Sequence, residues 1–465
     1  MKFNRLFAII VAAIMMLSSL SGCSGSSSET GGKATGADGG SSQAGSSGDK
    51  IPLSMWFWGS NTDQQAALSE TLVDKFNAEN PDYELTVEYR SSVNKDIAVA
   101  LAANQGPDIV YESSPSLAMT YIEAGKYADL TEYSQQYGWQ DKLIKPMYDS
   151  GTVNGKLYSI PMGLNIIGIV YNKRVLDENG WQVPATLEEL TAIMDEAMEK
   201  GMYASVTGNK GWKETNEDYS SLFLTNFAGP EDVYKALTGD QKWNSANIVY
   251  ALEQSAEWYN KGYLCSDYVN LDWGESAQLL SDGGAPFFFG PLKFIQNLVM
   301  FCVDDNRDDF QFCVFPSGRD GVDPSYTIGA TGILAVNANT QYKDKAAEFI
   351  NMLISEEFVM EMAEKWPGYW GVPLTTLNEI DTSGFEGLPK YYMEAIVTAS
   401  SEIEKGNFGY YCSSYFPPET FNYFVNIDTV WFGESTAEEL LDSVDVAFEK
   451  ELAAGLVPPV PKPGS

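Results

Sequence analysis

Three short apolar runs decide the fold: Leu53-Ser-Met-Trp-Phe-Trp58, Tyr83-Glu-Leu-Thr-Val-Glu-Tyr89 and Gly106-Pro-Asp-Ile-Val-Tyr111. Each has the length and β-branched or aromatic content of a strand. Between the first two, Ala67, Leu68, Leu72, Val73 and Phe76 recur at helical spacing from about Asp63, and Asn80-Pro81 stops the pattern. A second helical pattern, Lys95–Asn104, separates the next pair. Strand, helix, strand, helix, strand predicts a mostly parallel sheet with crossover helices, hence an α/β fold. Farther along, Thr186-Leu-Glu-Glu189 and Thr436-Ala-Glu-Glu439 are capping boxes that open helices. Leu190, Met194 and Ala197 face inward on the first, and Gly201 closes it.

Upstream of these runs the chain carries no fold signal. Residues 1–23 pair a basic start, Met-Lys-Phe-Asn-Arg, with the apolar run Leu6–Leu17 and the small-residue end Leu20-Ser21-Gly22-Cys23. This is the form of a secretory signal rather than of a spanning helix. Its last four residues resemble a bacterial lipobox, which implies lipidation of Cys23 and anchoring outside the cytoplasm. Residues 24–50 are Gly, Ser, Ala and Thr with a few charges, a flexible tether reaching roughly 25–30 Å. Folding starts near Ile51 and leaves 415 residues, enough for two or three domains at about 150 residues each.

Charge and missing residue types narrow the function. Twenty-nine Lys+Arg against 64 Asp+Glu give a net charge of −35, which repels nucleic acid and anionic lipid. No histidine occurs, so Ser-His-Asp and Cys-His nucleophile systems and His-bearing zinc sites are excluded. Besides Cys23, the cysteines are Cys265, Cys302, Cys313 and Cys412. Cys302 and Cys313 flank an acidic turn and could bridge, but a core this large needs no staples, and four free thiols is the preferred reading. No cofactor and no metal site is expected.

Blocks spanning 51–460 carry a family resemblance. They include Asn80-Pro-Asp-Tyr-Glu, Tyr121-Ile-Glu-Ala-Gly-Lys-Tyr-Ala-Asp-Leu130, Asn154-Gly-Lys-Leu-Tyr-Ser-Ile-Pro161 and Ile169-Val-Tyr-Asn-Lys-Arg174. Gly283-Gly-Ala-Pro-Phe-Phe-Phe-Gly290, Gly329-Ala-Thr-Gly332 and Tyr342-Lys-Asp-Lys-Ala-Ala-Glu-Phe-Ile350 follow. In order and spacing they resemble the extracellular solute-binding proteins of ABC importers, in the carbohydrate-binding group that includes maltodextrin-binding proteins. The resemblance implies two α/β lobes, 51–163 plus 333–378 and 164–332 plus 379–463, with hinge crossings near Met162–Asn165, Thr331-Gly332 and beyond Gly371-Val-Pro373. It implies a monomeric receptor, not an enzyme, that closes on a carbohydrate and delivers it to the transmembrane subunits of an importer.

By motif position, the expected ligand-binding residues are Trp58, Asn61, Glu112, Asn165, Gly290, Lys293, Gly329 and Thr331, with Trp366, Tyr369 and Trp370 from Trp366-Pro-Gly-Tyr-Trp370. Trp366 or Trp370 is expected to stack on a neutral sugar while Asn165 and Glu112 bond its hydroxyls. Pyranose C–H faces pack on aromatic rings, and sugar hydroxyls need neutral or carboxylate partners. Where the family commonly places an aromatic two residues after the Gly290 position, this chain has Leu292, with Phe294 as a substitute. Three alternatives stay open: a ferric carrier using Tyr391-Tyr392 and Tyr410-Tyr411, a polyamine-type binder, and an anchored glycoside hydrolase with paired carboxylates.

Overall fold

The computed structural model describes residues 50–211, 213–301 and 309–464. The leader, Cys23, the tether as far as Asp49, and Cys302 lie outside the described residues. From Lys50 onward the chain is one compact unit built on two five-stranded sheets.

The first sheet grows from the three runs that open the fold. Ile51–Trp58 pairs in parallel with Tyr83–Arg90 on one side and with Ile109–Glu112 on the other. Leu53, Met55 and Phe57 alternate into the core, the period expected of a strand with one buried face. Ile333–Val336 adds antiparallel to Ile109–Glu112, and Ser159–Pro161 completes the sheet. The first helical pattern forms, but as Thr62–Leu68, a π turn at Ser69–Val73, and Asp74–Glu79. The second helix runs Val93–Ala102.

The second sheet departs from the expected parallel arrangement. Its central strand, Leu164–Asn172, is buried along its whole length. It pairs antiparallel with Tyr326–Ala330, Phe287–Pro291 and Phe310–Cys313. Phe408–Tyr410 lies parallel to Tyr326–Ala330 at the edge. Both capping boxes are present, at Thr186 and Thr436, opening the helices Leu187–Glu199 and Ala437–Ala453.

The chain passes from the first sheet to the second between Pro161 and Leu164, and returns between Ala330 and Ile333. These connections lie side by side. Met162 N–H donates to the Gly332 carbonyl at 2.8 Å, Thr331 N–H to Gly163 at 2.9 Å, and Leu164 N–H to Gly371 at 2.7 Å. A Cβ at Gly163 would sit 2.3 Å from the Tyr369 carbonyl oxygen and 2.6 Å from the Thr331 hydroxyl. Glycine is therefore needed there by close approach. Cys265, Cys313 and Cys412 are free thiols, in line with the preferred reading for those three.

Candidate functional site

A cavity of about 580 Å³ opens where strand ends of the two sheets meet. Its walls are built from residues at, or just beyond, the carboxyl ends of strands: Trp58, Ser113, Lys293, Thr331 and Tyr411. Ligand crevices of α/β proteins form at this kind of position, because strands stop there and loops diverge.

The first-sheet wall is aromatic and hydroxylic. Trp58, half-buried, packs against Tyr369 with ring centroids 5.6 Å apart. The Tyr369 and Tyr111 hydroxyls are hydrogen-bonded at 3.2 Å, and burial raises both phenol pKa values. Ser114 caps the helix Pro115–Glu123 and faces the cavity together with Ser116 and Asn94. Thr331 lines the cavity too, its hydroxyl donating to the Tyr369 carbonyl at 2.8 Å.

The second-sheet wall carries charge. Glu217 lines the cavity from the start of the helix Asn216–Phe223, at only 3% exposure. The Tyr411 hydroxyl donates to its Oε1 at 2.6 Å. Its neighbour Asp218 is 2% exposed, and burial, then the Glu217 charge, push its carboxyl pKa well above the usual range, with Lys293 pulling the other way. Lys293 Nζ sits 5.7 Å from the Trp273 ring centroid and 5.9 Å from that of Tyr411. Trp273 lines the cavity from the first turn of Trp273–Ser281, fixed by its Nε1 donating to the Thr215 hydroxyl at 2.9 Å.

Gln296 joins the two walls. Its Oε1 accepts from Trp366 Nε1 at 3.1 Å and from Gln64 Nε2 at 3.4 Å.

Of the residues expected from motif position, Trp58, Lys293, Thr331 and Tyr369 line the cavity and the others do not. Asn61 is an exposed N-cap whose side chain accepts from Gln64 N–H in a capping box; its work is helical. Glu112 is buried one residue before the wall, with Oε1 taking the Ser113 N–H and hydroxyl. Burial raises its pKa to about 7 against the pull of those bonds. Asn165 is buried in the central strand opposite Gly329, and neither amide atom has a hydrogen-bond partner among the described residues. Gly290 and Gly329 are there for packing: a Cβ would meet the Phe288 ring at 2.5 Å and the Ser414 hydroxyl at 2.4 Å, respectively.

The tryptophan segment corrects the expected stacking. Trp370 is 1% exposed and stacks on Phe57 at 5.5 Å. Trp366 is equally enclosed, parallel to Tyr369 at 5.3 Å. Both back the wall, and Tyr369 alone of the three reaches the cavity. Phe294 does not substitute for the missing aromatic either, because it stacks on Phe288 inside the core. Trp273, packed edge-on against both of those rings, presents the aromatic surface at this turn.

Sequence reasoning missed Glu217 and Trp273, and named Tyr411 only in the ferric alternative. The helix Asn216–Phe223 is buried on every side, so its polar residues show no amphipathic period. It is held by side-chain bonds instead: Asn216 Nδ2 to the Val425 carbonyl at 2.9 Å and the Ser220 hydroxyl to Phe424 at 2.7 Å. The π turn that follows, Leu224–Ala228, was the kind of irregularity that clusters at functional sites, but it leaves no sequence signature.

Residues 71–382 match the model of the bacterial extracellular solute-binding protein family. The chain belongs to that family. It is thus an extracytoplasmic solute-binding receptor and not an enzyme, which removes the hydrolase alternative. Among the described residues, no helix is long and apolar enough to cross a membrane.

A probable sugar-binding periplasmic protein of Mesorhizobium japonicum is 24% identical over 36% of this chain and 40% of its own. A diacetylchitobiose-binding protein of Streptomyces coelicolor is 30% identical over 24% of each. The matched stretches thus span less than half of these curated relatives. Solved structures share the whole fold. A chitin oligosaccharide binding protein superposes with a TM-score of 0.70 at 21% identity, over 86% of this chain and 98% of its own. A maltose-bound Thermotoga maritima protein gives 0.66 at 17% identity, over 86% and 99%. This family architecture has two lobes.

Proposed function

We propose that this receptor captures a carbohydrate, a short oligosaccharide, in the cavity between the two sheets and presents it to an ABC importer. One observation carries the reading. A cavity of about 580 Å³, within the usual range for small-molecule sites, combines aromatic surfaces (Trp58, Trp273, Tyr369) with converging hydroxyl, amide and carboxylate groups (Ser113, Asn94, Glu217). Rings supply stacking area for C–H faces, and the polar groups match hydroxyls. The sugar-binding and chitin-oligosaccharide-binding names of its relatives agree with this chemistry.

Closure is a hinge motion near Met162–Asn165, at Thr331-Gly332 and beyond Gly371-Val-Pro373, dividing the chain into lobes 51–163 plus 333–378 and 164–332 plus 379–463. Ligand touching both walls favours the closed form by its differential contacts. The protein acts as a monomer tethered through lipidated Cys23.

The ferric alternative finds little support. Tyr410 donates to the Pro461 carbonyl, Tyr411 to Glu217, and Tyr392 is buried elsewhere, so only Tyr411 of the four tyrosines faces the cavity. Among the described residues, no three carboxylate or thiol groups gather as a metal site.

A thermal-shift screen of monosaccharides, neutral oligosaccharides, polyamines and ferric citrate tests the reading, since a ligand of the native state raises the melting temperature. Stabilisation by an oligosaccharide is expected; stabilisation by spermidine or ferric citrate alone would replace it. Anchoring is tested apart: Cys23→Ala should free the protein from membranes with ligand binding intact, and membrane retention would sink it.

A further inference from the structure

We infer that Glu112 is a positioning residue: it holds the Ser113 hydroxyl so that Ser113 meets the ligand as a hydrogen-bond acceptor, and the site selects a hydroxyl donor at that point. The inference rests on the proposed carbohydrate site and adds which kind of ligand group this part of the wall takes.

A serine hydroxyl has one proton to give and two lone pairs to receive others. At Ser113 the proton and one lone pair are already engaged. Asn94 Nδ2, from the first turn of the helix Val93–Ala102, donates to Oγ at 2.9 Å. The hydroxyl in turn donates to Glu112 Oε1 at 3.1 Å, and the Ser113 N–H donates to the same oxygen at 2.7 Å. One lone pair is left, on a residue that lines the cavity. A group approaching Oγ from the cavity must therefore bring its own proton. A sugar hydroxyl does so; an ether oxygen or a fluorine does not.

Glu112 acts from behind the wall. It is 1% exposed, at the end of the strand Ile109–Glu112, with Ile333 of the neighbouring strand opposite it. It does not line the cavity, so its effect on a ligand passes through Ser113. The Ser113 N–H fixes the carboxylate oxygen, and that oxygen fixes the direction of the Ser113 proton. A rotor set before binding spares the complex the cost of ordering it.

The test titrates the full chain by calorimetry at pH 8, above the Glu112 pKa of about 7. The probes are maltotriose, diacetylchitobiose and xylotriose, with monodeoxyfluoro derivatives of the tightest binder, in which fluorine replaces one hydroxyl donor. In wild type, at least one derivative should bind roughly tenfold or more weakly than its parent. For one of these, Ser113→Ala should weaken the parent by a similar factor and erase the difference. Glu112→Met should weaken the parent when residue 113 is serine and add nothing in the Ser113→Ala background, a coupling that general damage to the fold does not produce. Glu112→Gln, which keeps the acceptor, should retain wild-type discrimination. Equal losses from Glu112→Met in both backgrounds overturn the inference, as does Ser113→Ala at wild-type affinity. The fluoro comparison between wild type and Ser113→Ala needs no change at Glu112, so an absence of any Ser113-dependent derivative overturns the inference even where Glu112→Met does not melt cooperatively. If no saccharide binds at all, the carbohydrate reading fails and takes this inference with it; saccharide binding without the coupling sinks the inference alone.

Discussion

The two walls of the cavity present different chemistry. The first-sheet wall offers Trp58, Tyr369 and serine hydroxyls, backed by a dense ring cluster of Phe57, Trp366 and Trp370. The second-sheet wall offers Glu217, Lys293 and Tyr411, backed by the polar helix Asn216–Phe223. One wall is suited to shape and stacking, the other to charge-assisted hydrogen bonding. On the proposed reading, a ligand spanning both walls draws on both chemistries at once and so favours closure.

The sharpest separation of backing from contact lies at Trp370. If it belongs to the packed layer behind the wall, Trp370→Ala should cost about 3–5 kcal/mol of folding stability, the range for deleting a buried aromatic. Chemical denaturation measures this. A variant with native stability but lost saccharide affinity would return Trp370 to the contact surface.

Glu112 is the acid on the otherwise neutral side. Its pKa in the folded protein, about 7, lies above the 4.5 of an ordinary glutamate, so the native state holds the proton more tightly than the unfolded chain. Its contribution therefore lowers stability as pH rises from about 4.5 to 7, and the full penalty stands above 7. Glu112→Gln keeps an acceptor for Ser113 and removes the charge. It should exceed wild type by on the order of 3 kcal/mol at pH 8, with the gap closing toward pH 4.5. Equal pH profiles would show that Glu112 is solvated.

The smallest effect belongs to Asn61, outside both walls. Asn61→Ala removes a capping box and should cost about 1 kcal/mol of stability, with unchanged affinity for any ligand. A selective affinity loss would extend the first wall to this loop.

These contrasts also show what was legible in the sequence. The opening strands and both capping boxes were readable because period-2 burial and capping chemistry are local. The antiparallel second sheet was not, since Leu164–Asn172 is apolar on both faces and its partners lie over a hundred residues away. Trp58, Lys293, Thr331 and Tyr369, expected from motif position, line the cavity. Trp366 and Trp370 misled because an irregular Pro-Gly segment was expected to leave rings exposed; Phe57, Phe358 and Tyr369 bury them from several elements at once. Glu217 and Trp273 sit in segments that resemble solvated surface, and only tertiary packing brings them to the cavity.

On the proposed reading, one saccharide is held between Trp58 on one wall and Trp273 on the other. Titration calorimetry of a neutral oligosaccharide into wild type, Trp58→Ala and Trp273→Ala tests it most directly. Each truncation should weaken binding by about 2 kcal/mol, roughly thirtyfold, while cooperative melting is retained. Binding that both variants preserve at wild-type strength would contradict the account and place the ligand elsewhere.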